Sequence, residues 1–285
     1  MNLVELSQVS FKYAGAREYA IRDVNFSAGP REYVLLVGPS GCGKSTLLRV
    51  LNGLIPHFYS GEFKGEARVA GLDVSRTPTH VLARHVGMVF QDPENQLFLS
   101  SVEREIAFGL ENMGLPRREV RRRVEEVVRL FELEELRYRA PYELSGGQQQ
   151  RVAIASVMAL EPEILVMDEP TANLDPASAL EILSLVAELV EERGILAIVV
   201  EHRLEIALQY ATRLVVMDAG RLVADGAPRE MLEKVGNLVG WPPVVRAYEL
   251  LKSWGLRMPG PPLTPEEFVN SFLKEVKLSG CSGSG

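Results

Sequence analysis

Cysteine is nearly absent: Cys42 sits in a glycine-rich loop, Cys281 in a glycine and serine tail, and neither has metal-ligand spacing around it. Such sparse usage excludes a disulfide-stapled scaffold and fits a reducing, cytosolic compartment. Cys42 reads either as a small loop residue or as a redox sensor favoured by a helix N-terminus. Long apolar runs are missing too. The stretch at 195–200 falls far short of the roughly 20 residues that cross a bilayer, so no membrane span is expected. Export is not expected either, because MNLVELSQVSFKY carries acidic and polar residues where a secretory signal has a basic segment and an apolar stretch. Positive charge is in deficit. The 31 Lys and Arg against 38 Asp and Glu leave −7, which argues against a nucleic-acid partner while leaving room for a local basic patch.

What is present has globular proportions. With 46% hydrophobic and 24% charged residues in 285, disordered and collagen-like chains are excluded, and the length suits one large domain with an appendage, or two domains. No repeat of solenoid period is visible. Leu3, Glu5, Ser7, Val9 and Phe11 alternate as a strand does, and 21–27 gives a second strand signal. A turn at 28–31 leads to the apolar run 33–37 and then to GPSGCGKST at 38–46, which opens a helix through Leu47, Leu48, Val50 and Leu51. Between 56 and 74, Gly61, Gly65 and Gly71 are expected to separate short strands. A buried strand at 86–90 ends at Gln91. Residues 117–130 have helical period, with Val120, Val124, Val127 and Val128 inward. Their outer face of Arg118, Arg121, Arg122 and Arg123 reads as solvated or as facing lipid headgroups.

A helix is expected at 145–160, a strand at 164–167 ending in Asp168 and Glu169, a helix at 176–193, and a strand at 195–200 ending near His202. Strands at 213–217 and 221–224 flank a hairpin turn at Ala219-Gly220. This alternation predicts an α/β fold, a mainly parallel sheet with helices on both faces and ligands beyond the carboxyl ends of its strands. Gln91, Asp168, Glu169 and His202 all lie at such ends. After about residue 230, Trp241-Pro242-Pro243 and the prolines at 259–262 interrupt a small helical appendage with segments at 244–254 and 265–276.

Gly38, Pro39, Ser40, Gly41, Cys42, Gly43, Lys44 and Ser45 satisfy G-x-x-x-x-G-K-[ST] in the strand, loop, helix context that the motif requires. Glycines let successive N–H groups turn inward onto phosphate oxygens at the positive end of a helix. Lys44 supplies a charge for the β- and γ-phosphates, and Ser45 a hydroxyl for Mg²⁺. Two adjacent carboxylates at the end of ILVMDE would repel one another in a pocket without a cation. Mg²⁺ resolves this: Asp168 holds the metal's water shell while Glu169 deprotonates the attacking water. Gln91 either binds metal and water or simply ends its strand, and His202 is placed to donate to the γ-phosphate. His57, His80 and His85 lack such placement. Leu144-Ser145-Gly146-Gly147-Gln148 opens another helix and forms a second anion site.

With LSGGQ beside GPSGCGKST, VFQ, ILVMDEP, Asn173-Leu174-Asp175 and His202, in that family's order over residues 3 to about 230, the chain resembles the nucleotide-binding subunit of ATP-binding cassette (ABC) transporters. The resemblance implies a P-loop NTPase fold with a mainly parallel core sheet, an antiparallel β subdomain and a helical signature subdomain. It also implies two ATPase subunits pairing head to tail, each ATP lying between one chain's 38–46 loop, Thr46 included, and the other's Ser145, Gly146, Gly147 and Gln148. Catalytic roles fall to Glu169, His202, Gln91 and Lys44, metal contacts to Ser45, Gln91 and Asp168, and Tyr13 stacks on adenine. Glu201-His202-Arg203 departs from the family's commoner Thr-His-Asp. More narrowly, QDPENQLFLSSVEREIAFGLEN at 91–112, IPHFYSGEFKGEARVAGLDV at 55–74 and PPLTPEEF resemble the ATPases of energy-coupling-factor importers of vitamins and transition-metal ions.

That narrower resemblance implies a transmembrane coupling protein and a small membrane substrate-binding protein as partners, at the cytoplasmic face of the membrane. Leu97, Phe98 and Leu99 then line a groove for a coupling helix, or else belong to the core. The expected domains are an ATPase at 1–230, with its helical subdomain at about 92–160, a dimerising helical extension at 231–278 and a disordered tail at 279–285. Another ABC importer or exporter shares every catalytic motif. A soluble DNA-repair ABC ATPase would need a long insertion for which 53–144 has no room, and a non-enzymatic module would not need Lys44, Asp168, Glu169 and His202 together.

Overall fold

The computed structural model describes residues 2–255 and 260–281. In chain order its first half comprises β1 (Val4–Tyr13), β2 (Ile21–Ala28), β3 (Tyr33–Val37), α1 (Lys44–Leu51), α2 (Leu54–His57), β4 (Gly61–Val69), β5 (Leu72–Asp73), α3 (Thr79–Leu82), β6 (Val86–Val89) and α4 (Val102–Asn112). There follow α5 (Arg117–Leu130), α6 (Gly146–Met158), β7 (Ile164–Asp168), α7 (Pro176–Arg193), β8 (Leu196–Val200), α8 (Leu204–Ala207), β9 (Arg213–Asp218), β10 (Arg221–Gly226), α9 (Pro228–Val239), α10 (Pro243–Ser253) and α11 (Pro265–Cys281).

Two sheets result. The larger has the order β10-β9-β3-β8-β7-β6, parallel except for the β9–β10 hairpin, and the smaller is the antiparallel β2-β1-β4-β5. All five residues of β3 and of β8 are buried, so these strands read as unbroken apolar runs. Their side chains still alternate. Tyr33, Leu35, Val37, Leu165, Met167, Ala197 and Val199 face a core shared with α4, α5, α6 and α7. Val34, Leu36, Ile164, Val166, Leu196, Ile198 and Val200 face a second core shared with α1 and the antiparallel sheet. The period of two thus places α1 and α6 on opposite faces of one sheet.

Local signals set the helix ends. The Asp175 side chain accepts from Ala177 N at 3.0 Å and Ser178 N at 3.1 Å, with Pro176 as the first helical residue of α7. The outer face of α5 is not uniformly solvated: Arg122 pairs with Glu119 and Glu126, and Arg123 with Glu119 and Glu161, while Arg118 and Arg121 are exposed. One strand expectation is corrected. Gly65 does not divide two strands, because β4 runs through it, and the β1–β4 register shifts between Ser7 and Ser10 as a bulge opposite that glycine.

The carboxyl-terminal region holds a helix that the residue pattern did not announce. The boundary drawn at 230 falls inside α9, whose Met231 and Leu232 are buried in the main core beside β9 and β10. Arg229 on α9 donates to Pro261 O at 2.8 Å and pairs with Glu267 at 2.6 Å, tying this helix to the start of α11. Helix α11 continues to Cys281, three residues into the segment expected to be a tail. Residues 282–285, Pro259 and the Cys281 side chain lie outside the described residues.

The contact between β6 and α6 is close enough to leave no room for a side chain at Gly87, where a β-carbon would collide with Val157 and crowd Pro162. Gly87→Ala should therefore destabilise the fold by about 1–3 kcal/mol, the usual cost of overpacking. Urea unfolding with an unchanged m-value and a lower midpoint is the expected result; an unchanged midpoint would show that α6 can retreat without cost.

Candidate functional site

The loop from β3 to α1 is shaped by glycine. Gly38 has φ of 150° and Gly43 of 111°, and a β-carbon would strike the Met217 carbonyl at the first and lie 2.5 Å from the Ala20 carbonyl at the second. Gly220 N donates to Cys42 O at 2.9 Å and fastens the loop to the β9–β10 turn. Pro39, Ser40 and Gly41 form its exposed crown, whereas Lys44 is buried with Nζ 2.8 Å from Gly38 O and 3.0 Å from Pro39 O. Thr46, also buried, is the third residue of α1. Burial pushes the Cys42 thiol up, against the pull of Lys44. That favours the small loop residue over the redox sensor.

The ends of β7 and β8 lie side by side, with Asp168 opposite Val200. Glu169 follows with φ of 51°, a left-handed conformation that costs a non-glycine residue roughly 1–2 kcal/mol, and its N–H donates to Val200 O at 3.0 Å. This twist presents its carboxylate between two neighbours: Oε1 lies 3.0 Å from His202 Nε2, and Oε2 accepts from Gln91 Nε2 at 3.1 Å. Gln91, Glu169 and His202, spread over 111 positions of sequence, are one cluster at the carboxyl edge of the sheet. Asp168 is different. Its Oδ1 is buried with no protein partner among the described residues, and burial pushes its carboxyl up, opposed by the Ser45 hydroxyl and the charges of Arg49 and Lys44. A desolvated carboxylate oxygen beside the Ser45 hydroxyl is a pair of oxygen donors suited to a hard cation such as Mg²⁺.

Tyr13 reaches this region from β1. Its hydroxyl lies 3.1 Å from Thr46 Oγ1 and accepts from Arg49 Nη1 at 3.0 Å, while the Phe11 and Tyr59 rings meet it edge-on at 4.9 Å and 6.0 Å. Arg49 also lies over the Tyr59 ring at 4.8 Å. Sequence reasoning passed over Arg49 and Tyr59, although Arg49 sits one helical turn past Ser45, on the helix that the phosphate loop opens. It also left Glu201 as an unexplained departure. Glu201 is 2% exposed, and its Oε1 accepts from His202 N at 2.8 Å and Arg203 N at 3.0 Å, while Oε2 accepts from the buried Thr171 hydroxyl.

Ser145, Gly146, Gly147 and Gln148 stand apart. Ser145 caps α6, accepting from Gln148 N at 3.4 Å while its own N–H donates to Gln148 Oε1 at 3.0 Å. β-Carbons at Gly146 and Gly147 would lie 3.5 Å from Leu174 and 3.0 Å from Ser178 Oγ, so this helix start abuts the segment 173–178. Among the described residues no hydrogen bond or ion pair joins it to the 38–46 loop, which belongs to the other face of the sheet. A cavity of about 630 Å³ between Leu3, Val127, Met158 and Ile195 lies at the opposite strand ends and is lined by none of these residues.

A family model described as ABC transporter matches residues 21–172. The chain is 44% identical to a protein of Pyrococcus abyssi over 91% of its own length and 88% of that protein's. It is 43% identical to one of Pyrococcus horikoshii over 99% and 100%. Both are provisionally named ABC transporter ATP-binding proteins. Among solved structures it is similar to cbiO1 of Clostridium perfringens, described as part of the ABC transporter complex cbiONQ, with TM-score 0.74 and 33% identity over 88% of this chain and 99% of that one. It is also similar to the dimeric ATP-binding cassette MJ0796 in a post-hydrolysis state with ADP and Pi, with TM-score 0.69 and 30% identity over 79% and 99%.

The Asp168 environment has a consequence for stability. Because its carboxyl is raised in the fold, the native state holds that proton more tightly than the unfolded chain. Stability is therefore lost as pH rises from the ordinary carboxylate value of 3.8 through the raised one, and the loss is complete above it. Asp168→Asn should raise the thermal midpoint of the nucleotide-free protein at pH 7, with the gain shrinking towards pH 4, while ATP hydrolysis is lost. A variant equally or less stable at pH 7 would contradict the assigned burial.

Proposed function

The chain belongs to the ABC transporter family and is its ATP-binding, ATP-hydrolysing subunit, and from that premise we propose that it energises an importer of the energy-coupling-factor type. The observation that carries the catalytic part is the Glu169 carboxylate held between Gln91 and His202 at the strand edge that also presents Lys44. Backbone N–H groups of 38–46 and Lys44 bind the β- and γ-phosphates, and Thr46 lies with them. Glu169 takes the proton of the attacking water, with Gln91 and His202 fixing its two oxygens and His202 donating to the γ-phosphate. Ser45, Gln91 and Asp168 would hold Mg²⁺, which when bound neutralises charge on the phosphates. Tyr13 offers its ring to adenine, its hydroxyl anchored by Thr46 and Arg49.

The placement of two candidate anion sites on opposite faces of one sheet supports a dimer. A single chain cannot close both around one nucleotide. Two chains arranged head to tail can, each giving Ser145, Gly146, Gly147 and Gln148 to the other's ATP. The similarity to the dimeric MJ0796 cassette supports this arrangement. Likeness to cbiO1 supports the narrower importer class, with a transmembrane coupling protein and a small membrane substrate-binding protein as partners. Among the described residues no helix is long and apolar enough to cross a membrane, so attachment to the cytoplasmic face would be peripheral.

The docking surface for the coupling protein lies beyond Gln91. Leu97 is buried in the main core, but Phe98 is 67% exposed and meets the 40% exposed Phe108 edge-on at 5.1 Å. The buried Glu105 carboxylate accepts the backbone N–H groups of Phe98 and Leu99, which holds this aromatic pair outward. Such a fixed apolar ridge suits helix-in-groove docking.

Glu169→Gln should lower ATP turnover about 10²–10⁴-fold while leaving ATP binding intact and stabilising an ATP-bound dimer on size exclusion. Turnover equal to the parent would remove Glu169 from the reaction. Phe98→Glu should leave turnover of the isolated subunit unchanged and abolish co-purification of membrane proteins. Full assembly of that variant would end the docking assignment and favour another class of ABC transporter.

A further inference from the structure

We propose that Glu201 is a positioning residue that sets the catalytic geometry by locking the His202 loop to Thr171, and through Thr171 to the segment lying against Gly146 and Gly147. The proposal rests on the assignment of Glu169 and His202 to ATP hydrolysis.

Glu201 directly follows β8 and is almost wholly buried, yet it lies between the sheet and the exposed His202. One carboxylate oxygen accepts the N–H groups of His202 and Arg203, so the backbone that carries the histidine folds around this side chain. The other oxygen accepts the Thr171 hydroxyl, which is fully buried and two residues past Glu169. Three donors on a desolvated carboxylate make charge-assisted bonds of high directional demand. The negative charge is felt nearby, since together with burial it pushes the Tyr33 phenol up. A threonine at 201, the commoner residue of the family, has a single hydroxyl and a shorter reach, so it cannot hold all three donors in this way.

A closed ring results. Glu169 and His202 touch directly through Oε1 and Nε2 at 3.0 Å, and their loops touch again through Thr171 and Glu201. Two adjacent strand ends are thereby fixed at two points, which restrains the base and the histidine relative to one another. From Thr171 the order continues: Leu174 N donates to Thr171 O at 3.1 Å, and Leu174 packs within reach of Gly146. Glu201 thus stands between the residues of one nucleotide site and the helix start that serves the other site of the pair. Small shifts at reacting groups are costly to rate and cheap to binding, because the triphosphate is held by a different loop.

The test uses the full chain with ATP and a near-isosteric pair that spares the fold. Thr171→Val should lower kcat about tenfold with KM for ATP changed less than about twofold, and Thr171→Ser, which restores the hydroxyl, should return most of it. Glu201→Ala should lower kcat at least as far, and the double variant Thr171→Val with Glu201→Ala should be no slower than Glu201→Ala alone, since both remove one link. The proposal is overturned if Thr171→Val keeps the parental kcat, if Thr171→Ser is as slow as Thr171→Val, or if the two losses multiply. Glu169→Gln, assayed in parallel, separates the two layers. Full turnover in that variant means the site itself is misassigned, whereas its loss beside an active Thr171→Val means only the positioning role fails.

Discussion

The structure depends on strands that are buried on both faces. Because β3 and β8 are buried at every position, and β7 at every position before Asp168, the larger sheet needs a cover on each side. The antiparallel sheet with α1 supplies one, and α4 to α7 the other. Parallel strands in such a sandwich all end at the same edge, so a phosphate loop, two carboxylates, a glutamine and a histidine from four strands arrive together. The same covering separates α1 from α6. The convergence of these groups at one edge and the separation of the two helix starts are therefore consequences of one packing arrangement.

At that edge, desolvation sets the electrostatics. Asp168 and Glu169 are adjacent in sequence but occupy different environments: the first is half-buried, with one buried oxygen that has no partner among the described residues, the second turned outward by a left-handed backbone onto Gln91 and His202. Their environments differ although their chemistry is the same, and the rule that acid and base roles follow environment and not residue type is what gives them different roles in the proposed reaction. The local cost in stability is offset by the cores on both sides, in which dozens of apolar side chains are removed from water.

Much of this was legible in the residues. The order of most strands and helices, the 38–46 loop and the carboxylate pair at 168 and 169 are local features, each decided by a few adjacent side chains and their backbone preferences. Other features resisted because their signals are long-range. Gly65 reads as a breaker until Gln8 and Val9 of the neighbouring strand bulge opposite it. Helix α9 lacks a conspicuous cap, since Ala227 precedes it, and is anchored by Met231 and Leu232 against β9 and β10. Leu97 and Phe98 look alike in sequence but diverge completely, one into the core and one to the surface, because Glu105 seven residues after Phe98 captures the backbone between them and α4.

By itself the sequence determined the available chemistry: which loop carries the phosphate-binding motif, which side chains are available at strand ends, and which family the chain resembles. It could do so because those properties reside in contiguous segments whose backbone conformation is locally encoded. Only the tertiary structure decided how these groups meet. The ring of Glu169, His202, Glu201 and Thr171, the half-buried setting of Asp168 beside Ser45 and the placement of α1 and α6 on opposite faces arise from contacts between residues some thirty to more than a hundred positions apart. Hydrogen bonds between buried polar groups are fixed by the packing that excludes water around them, and that packing exists only once both cores have closed.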